Sequence, residues 1–154
     1  MEKVIFKAVH LDERHLFLDY LLAADEDEEM VKEYMNEGEM YSINIDGKIA
    51  GAVLFTFHSE EIVELKNIAI AKQYQGIGLG KSTVLRTFEL YRLRGFKKMI
   101  VGTANSSIGN LAFYQKAGFR MEGIKKDFFL KYPEPIYENG IRAIDMVMFE
   151  KNLC

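Results

Sequence analysis

Three glycines, at positions 76, 78 and 80, lie within the segment Gln75-Gly76-Ile77-Gly78-Leu79-Gly80. Glycine allows the backbone to approach an anion closely and to adopt positive φ angles. If a helix begins here, its first N–H groups lack intrahelical acceptors, and the positive end of its dipole favours negative charge. With Lys81 and Ser82 following, the segment predicts a phosphate-binding loop. A tight turn between a strand and a helix is the alternative that needs no ligand.

The segments on either side of this loop are predicted to be a strand and a long helix. Residues 62–70 are rich in β-branched side chains and end in the apolar triplet Ile68-Ala69-Ile70, which predicts a strand with a buried end. Three apolar side chains after the loop recur at helical spacing: Val84, Phe88 and Tyr91. This spacing predicts a helix over residues 78–94 that ends at Gly95.

The remaining segments predict further strands and helices in a single domain, residues 1–154. Strands are predicted at residues 4–9, 40–45, 48–57, 98–103, 119–123 and 141–149, and helices at residues 12–24, 25–36 and 105–117. The dipeptide Asp46-Gly47 predicts a hairpin turn. This order of elements indicates an α/β fold with one mixed sheet and helices on its faces.

Two local details follow from the same patterns. In the first helix, Leu16, Tyr20 and Ala23 recur on one face. Before the last helix, the cluster Asn105-Ser106-Ser107 is expected to provide the helix cap.

The sequence of the glycine loop is close to two nucleotide-binding motifs but matches neither. A Walker loop needs G-x-x-x-x-G-K-[ST]; Gly80-Lys81-Ser82 supplies its end, but glutamine occupies position 75. The strand that should carry an acidic metal ligand, Met99-Ile100-Val101-Gly102, ends without one. The dinucleotide fingerprint needs a different glycine spacing near the first strand. ATP and dinucleotides are therefore not the preferred ligands.

A third pattern does fit. Gln75-x-x-Gly78-x-Gly80 resembles the [RQ]-x-x-G-x-[GA] loop of the GNAT superfamily of acetyltransferases. Upstream, Glu64-Leu65-Lys66-Asn67-Ile68-Ala69-Ile70 resembles the family's fourth strand, and downstream the run from Asn110 through Tyr114 to Phe119 resembles its helix signature. The resemblance covers about residues 62–120 and implies one GNAT-like domain with a mostly antiparallel mixed sheet of about six to seven strands and about four helices.

The resemblance assigns the cofactor-binding residues. It implies that backbone N–H groups from Gln75, Gly76, Ile77, Gly78, Gly80 and Lys81 hold the pyrophosphate of acetyl-CoA. It also implies that the backbone of Ile68, Ala69 and Ile70 pairs with the pantetheine arm as an added strand would. An N–H group of Ile68 or Ala69 would polarise the thioester carbonyl.

Three residues in the second half of the chain are further candidates for binding CoA or for catalysis. Asn110 and Tyr114 lie four apart on one helical face. The resemblance places Asn110 against the CoA arm and makes Tyr114 the general acid that protonates the departing thiolate. A half-buried aromatic residue is the alternative for Tyr114. Asn105 is expected either to contact CoA or to cap the helix.

The acceptor amine must lose a proton before it attacks, and Glu64 occupies the position where some family members carry the base. The alternative for Glu64 is a solvent-facing residue or one partner of a salt bridge with Lys66, two positions along the same face. Glu61 is a weaker candidate for the base.

The predicted reaction is direct transfer of an acetyl group from acetyl-CoA to a primary amine of a small molecule or of a protein or peptide. The alternative is a non-catalytic CoA-binding sensor or interaction module on the same fold. The acidic segment 25–29 predicts a solvated helix face or a helix N-terminus, and attraction of a cationic acceptor is its second interpretation. Segment 132–140 is long for a hairpin loop; its open roles are lining the acceptor pocket and forming a homodimer contact.

Composition excludes several other classes. The chain has 154 residues and a net charge of −3, with no block of Lys and Arg that would indicate nucleic acid binding. No apolar run approaches the roughly 18 residues of a membrane span, and no secretory signal precedes the first strand. The three histidines and the single cysteine, Cys154, do not cluster at metal-ligand spacing. A cytoplasmic protein without a metal or a membrane partner is expected.

Overall fold

Strands β1 (Val4–Ala8), β2 (Glu39–Ile45), β3 (Lys48–Phe57) and β4 (Ile62–Ile70) follow one another in the order β1-β2-β3-β4 in the computed structural model. The structure describes residues 4–25 and 27–154. Residue 26, which falls in the predicted acidic segment and second helix, and residues 1–3 lie outside the described residues. The described chain forms two compact units: the first runs to His58 and includes Glu64–Ser82, and the second comprises Ser59–Val63 and Thr83–Cys154.

The β2–β3 hairpin of the first unit forms as predicted. Asp46 and Gly47 have φ angles of 51° and 79°, the pair of positive values that a two-residue hairpin turn requires. Both β1–β2 and β2–β3 pair antiparallel, and the β2–β3 register shifts between Ile43 and Asn44. Strands β3 and β4 begin and end at the predicted residues.

The first predicted helix lies at the predicted residues, but the face that carries Leu16 and Ala23 is not the buried one. Residues Leu11–Phe17 form a 3-10 helix and α1 occupies Leu18–Ala24. Phe17 and Leu21 are buried, whereas Leu16 is 66% exposed and Ala23 is also exposed. The inward position before Phe17 belongs to a polar residue, Arg14, which an apolar pattern does not reveal.

Arg14 closes the far end of α2 (Glu28–Tyr34). Its guanidinium donates hydrogen bonds to the carbonyl oxygens of Met35, Glu37 and Gly38 at 3.1, 2.7 and 2.9 Å. Met35 is the C-cap of α2, and Glu37 and Gly38 lie in the segment that follows it. Burial lowers the pKa of this guanidinium, and nearby Glu39 opposes that effect.

In the second unit, α3 (Leu79–Leu93, which begins in the first unit) presents the predicted buried side chains. Val84, Phe88 and Tyr91 are all buried. The helix ends at Leu93, two residues before Gly95, whose φ is 93°. The N–H of Phe96 bonds to the carbonyl of Tyr91 at 3.0 Å. This is the αL glycine ending that the sequence predicts.

The sheet strands of the second unit are β5 (Lys98–Ala104), β6 (Arg120–Lys125) and β9 (Met146–Asn152). Their order is β5-β9-β6, and both pairings are antiparallel. Helix α4 (Ile108–Ala117) connects β5 to β6 along the chain and ends at Gly118, whose φ is 109°.

The predicted last strand, 141–149, is wrong in its boundaries. Two short strands, β7 (Tyr137–Glu138) and β8 (Ile141–Arg142), form a separate hairpin, and β9 begins only at Met146. The turn is Asn139-Gly140, with φ angles of 55° and 74°. An Asn-Gly dipeptide is a strong hairpin signal, and it accounts for the separate hairpin inside the predicted strand and loop. The fold class itself is confirmed: besides the β7–β8 hairpin, the described residues form seven sheet strands and four α-helices in a mixed α/β arrangement.

Candidate active site

The end of β4 lies unusually close to β3. A Cβ built on Gly51 would be 2.2 Å from the carbonyl oxygen of Ala69. Only glycine leaves room for that approach. The N–H of Ala71 donates to the carbonyl of Ala50 at 2.7 Å, just beyond the triplet Ile68-Ala69-Ile70. Ala69 is buried as predicted, whereas the two isoleucines are half-buried.

The glycine loop that follows β4 is held at its start by a side chain. Nε2 of Gln75 donates to the carbonyl of Ile70 at 2.8 Å, which ties the loop to the strand end. Gly76 and Gly78 both have a φ of 81°, a conformation that side chains with a Cβ rarely adopt. Apart from the chain neighbours, no heavy atom lies within 4 Å of a Cβ built on either glycine, so the space beside each of them is open.

Helix α3 begins directly from this loop. The first intrahelical bond runs from the N–H of Ser82 to the carbonyl of Gly78 at 3.0 Å. The N–H groups from Gly76 to Lys81 have no acceptor among the described residues. Six consecutive donors at a positive helix end form a cradle suited to an anion with several oxygens.

Tyr114 is enclosed by aromatic rings in the second unit. Its ring centroid lies 5.7 Å from that of Phe119 and 5.9 Å from that of Phe149, and the residue is 6% exposed. Burial raises the pKa of the Tyr114 phenol to about 12. No described residue hydrogen-bonds to its hydroxyl. The hydroxyl oxygen is therefore free to bind a ligand.

Asn110 lies one turn before Tyr114 on α4 and is exposed. Its Nδ2 donates to Oγ1 of Thr103 at 3.3 Å, so the poor helix former has a partner on β5. The amide oxygen of Asn110 has no partner among the residues described.

Asn105 does not cap α4. Its Oδ1 accepts the N–H groups of Ile144 and Asp145 at 2.8 and 3.0 Å, and its Nδ2 donates to the carbonyl of Arg142. Ser107 stands at the N-cap position without a capping bond, because its hydroxyl donates to Glu138 at 2.7 Å. The predicted capping cluster is therefore wrong: these residues bind the segment around β7 and β8.

Glu64 has two cationic or ionisable neighbours. Its Oε1 lies 2.5 Å from Nε2 of His58, and its Oε2 lies 3.9 Å from Nζ of Lys66. The salt bridge with Lys66 is the one predicted as the alternative to a catalytic role. His58 was not predicted, because the sequence assigns it to a polar turn and gives no signal of its pairing. Glu61, the weaker candidate, is paired with Lys97 at 3.6 Å.

The family follows from comparison of the whole chain with known proteins. Residues 6–119 match the model of the acetyltransferase (GNAT) family. The chain belongs to the GNAT family. It is 42% identical over 130 residues to the Bacillus subtilis protein named uncharacterized N-acetyltransferase YvbK, with 84% of each chain covered.

Two solved structures agree with this assignment. A GNAT family acetyltransferase from Elizabethkingia anophelis with acetyl-CoA bound has a TM-score of 0.90 and 35% identity, with 97% of each chain covered. A Bacillus subtilis acetyltransferase in complex with CoA has a TM-score of 0.87 and 37% identity, with 100% of each chain covered. The predicted family resemblance is confirmed.

The predicted site residues of this GNAT protein are distributed over both units. Within the first unit, the end of β4 and the glycine loop are adjacent and joined through Gln75, and Glu64 lies earlier on the same strand. Within the second unit, Asn110 and Tyr114 share α4. Among the described residues, no group of three or more His, Cys, Asp or Glu side chains could hold a metal ion. No helix in the described part of this chain is long and apolar enough to cross a membrane.

The acidic segment at residues 25–29 serves the start of α2. Oδ1 of Asp27 accepts the N–H of Met30 at 3.1 Å, a helix N-cap, and Oδ2 of Asp25 accepts the hydroxyl of Tyr34 at 3.1 Å. These contacts agree with the predicted helix N-terminus.

Proposed function

We propose that this GNAT protein binds acetyl-CoA and transfers its acetyl group directly to a primary amine. The observation that carries the proposal is the row of six N–H groups from Gly76 to Lys81 without acceptors at the start of α3. A pyrophosphate has the charge and the number of oxygens that such a cradle can bind. The relatives from Elizabethkingia anophelis and Bacillus subtilis, with acetyl-CoA and CoA bound, support this ligand.

The rest of the donor is proposed to follow β4. The backbone of Ile68, Ala69 and Ile70 would pair with the pantetheine arm, which gives affinity without demanding particular side chains. An N–H of Ile68 or Ala69 would donate to the thioester oxygen as negative charge develops there. Asn110 and Asn105 complete the proposed CoA contacts. Asn110 has an amide oxygen free for this role, whereas both ends of the Asn105 amide already bond to the segment 142–145.

Glu64 is the proposed base. It removes a proton from the acceptor ammonium, so that the neutral nitrogen can attack the acetyl carbonyl. The C–N bond forms and the C–S bond breaks, with no covalent intermediate on the protein. Overall, an ammonium ion and acetyl-CoA give an amide, free CoA thiol and one proton.

Tyr114 is the proposed acid for the leaving sulfur. Its hydroxyl has no partner within the described part of the chain, and its raised pKa of about 12 keeps it protonated at neutral pH. A thiol in water has a pKa of about 8.5. Burial raises the pKa of a thiol as it does that of a phenol, so a thiolate formed in enclosed surroundings accepts the proton more readily than in water.

The acceptor is proposed to be a primary amine of a small molecule or of a protein or peptide. An acetyl-CoA consumption screen across small amines, amino acids, polyamines and peptides tests this, with release of free thiol as the readout. Turnover with at least one amine is the expected result. If calorimetry detects acetyl-CoA binding while no amine supports thiol release, the protein is a CoA-binding module and the enzymatic proposal fails. Binding of ATP–Mg²⁺ in preference to acetyl-CoA would contradict the assigned ligand.

A further inference from the structure

His58 and Glu64 form a short contact that the proposed reaction has not yet used. Nε2 of His58 lies 2.5 Å from Oε1 of Glu64, although the residues are six positions apart in the chain. His58 directly follows β3, and Glu64 is the third residue of β4. With its proton on Nε2, the imidazole donates a hydrogen bond to one carboxylate oxygen.

The two oxygens of Glu64 therefore have different surroundings. Oε1 is engaged by His58, whereas Oε2 lies 3.9 Å from Nζ of Lys66, which is beyond hydrogen-bond distance. The Lys66 ammonium also lies 5.4 Å from the centroid of the Tyr34 ring. Oε2 consequently keeps its lone pairs for a donor other than His58 or Lys66.

The side chains of Glu64 and His58 differ in their exposed fractions, and this difference favours Glu64 as the one held in a fixed orientation. The Glu64 side chain is 13% exposed, whereas that of His58 is 48% exposed. An enclosed carboxylate held at one oxygen by a residue at the surface has a defined orientation. A base needs that orientation, because a misplacement of about 1 Å can lower a rate by roughly a hundredfold.

We infer that His58 is the positioning residue for the base. Its hydrogen bond to Oε1 holds the Glu64 carboxylate in place, so that Oε2 removes the proton from the acceptor amine. This inference rests on the proposed function and on Glu64 as its base. His58 acts only through Glu64 and does not contact either substrate.

The alternative is that the His58–Glu64 contact is only structural and joins the end of β3 to β4. Partly exposed ion pairs contribute little to stability, and removal of either partner would then leave turnover unchanged. A positioning role therefore predicts that removal of His58 lowers kcat, and only while Glu64 is present. A purely structural contact predicts an unchanged kcat.

A double-mutant cycle with His58→Ala and Glu64→Gln tests the inference, using the amine identified by the thiol-release screen. Alone, His58→Ala is expected to lower kcat roughly tenfold to hundredfold with an unchanged KM for acetyl-CoA. In the Glu64→Gln background, the same substitution is expected to change kcat by less than about twofold, because its route of action is already lost.

Two more variants exclude a general structural effect. His58→Gln keeps an N–H donor close to the position of Nε2 and is expected to recover most of the lost kcat. His15→Ala removes another exposed histidine, outside the proposed site, and is expected to behave as wild type.

The outcomes separate this inference from the function on which it rests. A His58→Ala variant with the kcat of the wild type would overturn the positioning role alone. An equal loss of kcat from His58→Ala in the wild-type and Glu64→Gln backgrounds would do the same. Full activity of Glu64→Gln would overturn it together with the base assignment. No turnover of the wild type with any amine would overturn the proposed function, and this inference with it.

Discussion

The carbonyl oxygen of Ala69 lies 2.2 Å from the position that a Cβ on Gly51 would take. The neighbouring Ala69 carbon and the Ile70 Cα would each lie 3.2 Å from the same Cβ. All three are backbone atoms, so no side chain can move aside to make room. The strand end proposed to bind pantetheine thus depends on one missing methyl group on the adjacent strand.

Gly51→Ala is therefore expected to destabilise the fold. Overpacking of this kind costs roughly 1–3 kcal/mol, because the backbone must shift. Urea denaturation measures the change, and calorimetry is expected to show weaker acetyl-CoA binding as well.

Gly109→Ala is the matched control, since it also adds one methyl group. Nothing lies within 4 Å of a Cβ at this position of α4. Alanine there is expected to leave stability unchanged or raise it by about 0.4–1 kcal/mol. A Gly51→Ala variant as stable as wild type would contradict the close approach of β3 and β4.

Gly78→Ala tests the anion cradle. Gly78 has a φ of 81° with open space around it, so alanine would strain the backbone without a clash. The strain costs roughly 1–2 kcal/mol and displaces the N–H groups of the loop. We expect the Kd for acetyl-CoA to rise about tenfold or more, which corresponds to about 1.4 kcal/mol, as measured by calorimetry.

Gly47→Ala provides the control for this strain. Gly47 has a φ of 79° and equally open surroundings, but it lies in the β2–β3 turn. The two variants are expected to lose similar stability, while only Gly78→Ala loses affinity. If Gly78→Ala and Gly47→Ala bind acetyl-CoA with equal affinity, the glycine loop is not part of the binding site.

Tyr114→Phe tests the general acid. The substitution removes only a hydroxyl that has no partner among the described residues, so we expect stability to change by less than about 1 kcal/mol. Steady-state kinetics is expected to show a kcat lowered roughly a hundredfold with an unchanged KM for acetyl-CoA. Tyr20→Phe, outside the proposed site, serves as the control. A Tyr114→Phe enzyme with wild-type kcat would exclude this role.

The same substitution predicts a change in alkaline stability. Burial raises the folded-state pKa of Tyr114 to about 12, above the roughly 10 of an unfolded tyrosine. The protonated phenol therefore contributes stability that is fully present below about pH 10 and is lost as the pH rises toward 12. The difference, 12 minus 10, corresponds to roughly 3 kcal/mol.

Urea denaturation from pH 8 to pH 11 checks this prediction. Above about pH 10, wild type is expected to lose stability faster than Tyr114→Phe, since phenylalanine cannot ionise. The other titrating groups are common to both proteins and cancel in the comparison. Parallel curves would show that Tyr114 is not buried in its neutral form.

The local signals of the sequence were sufficient for most of the strands. Strand β3 follows from a long, mostly apolar run, and β4 follows from its apolar end, Ile68-Ala69-Ile70. The turn at Asp46-Gly47 follows from a dipeptide that adopts positive φ readily. The glycine loop was predictable for the same reason, because its chemistry resides in backbone conformation and in the helix start that follows it.

Features that depend on distant partners were not predictable. The cluster Asn105-Ser106-Ser107 has the composition of a helix cap, but its side chains bind residues more than thirty positions away. The buried side of the first helix includes Arg14, which donates to carbonyls beyond α2 and which an apolar pattern does not reveal. The pairing of His58 with Glu64 depends on how β3 and β4 align, which no local pattern specifies.

Mass analysis of the acceptor after reaction with acetyl-CoA tests the central claim most directly. The account predicts that an amine identified in the screen gains the mass of one acetyl group, in equal amount to the CoA thiol released. The same product should be strongly reduced with Tyr114→Phe at matched protein concentration. Release of CoA thiol accompanied by free acetate and an unmodified amine would contradict transfer to an amine.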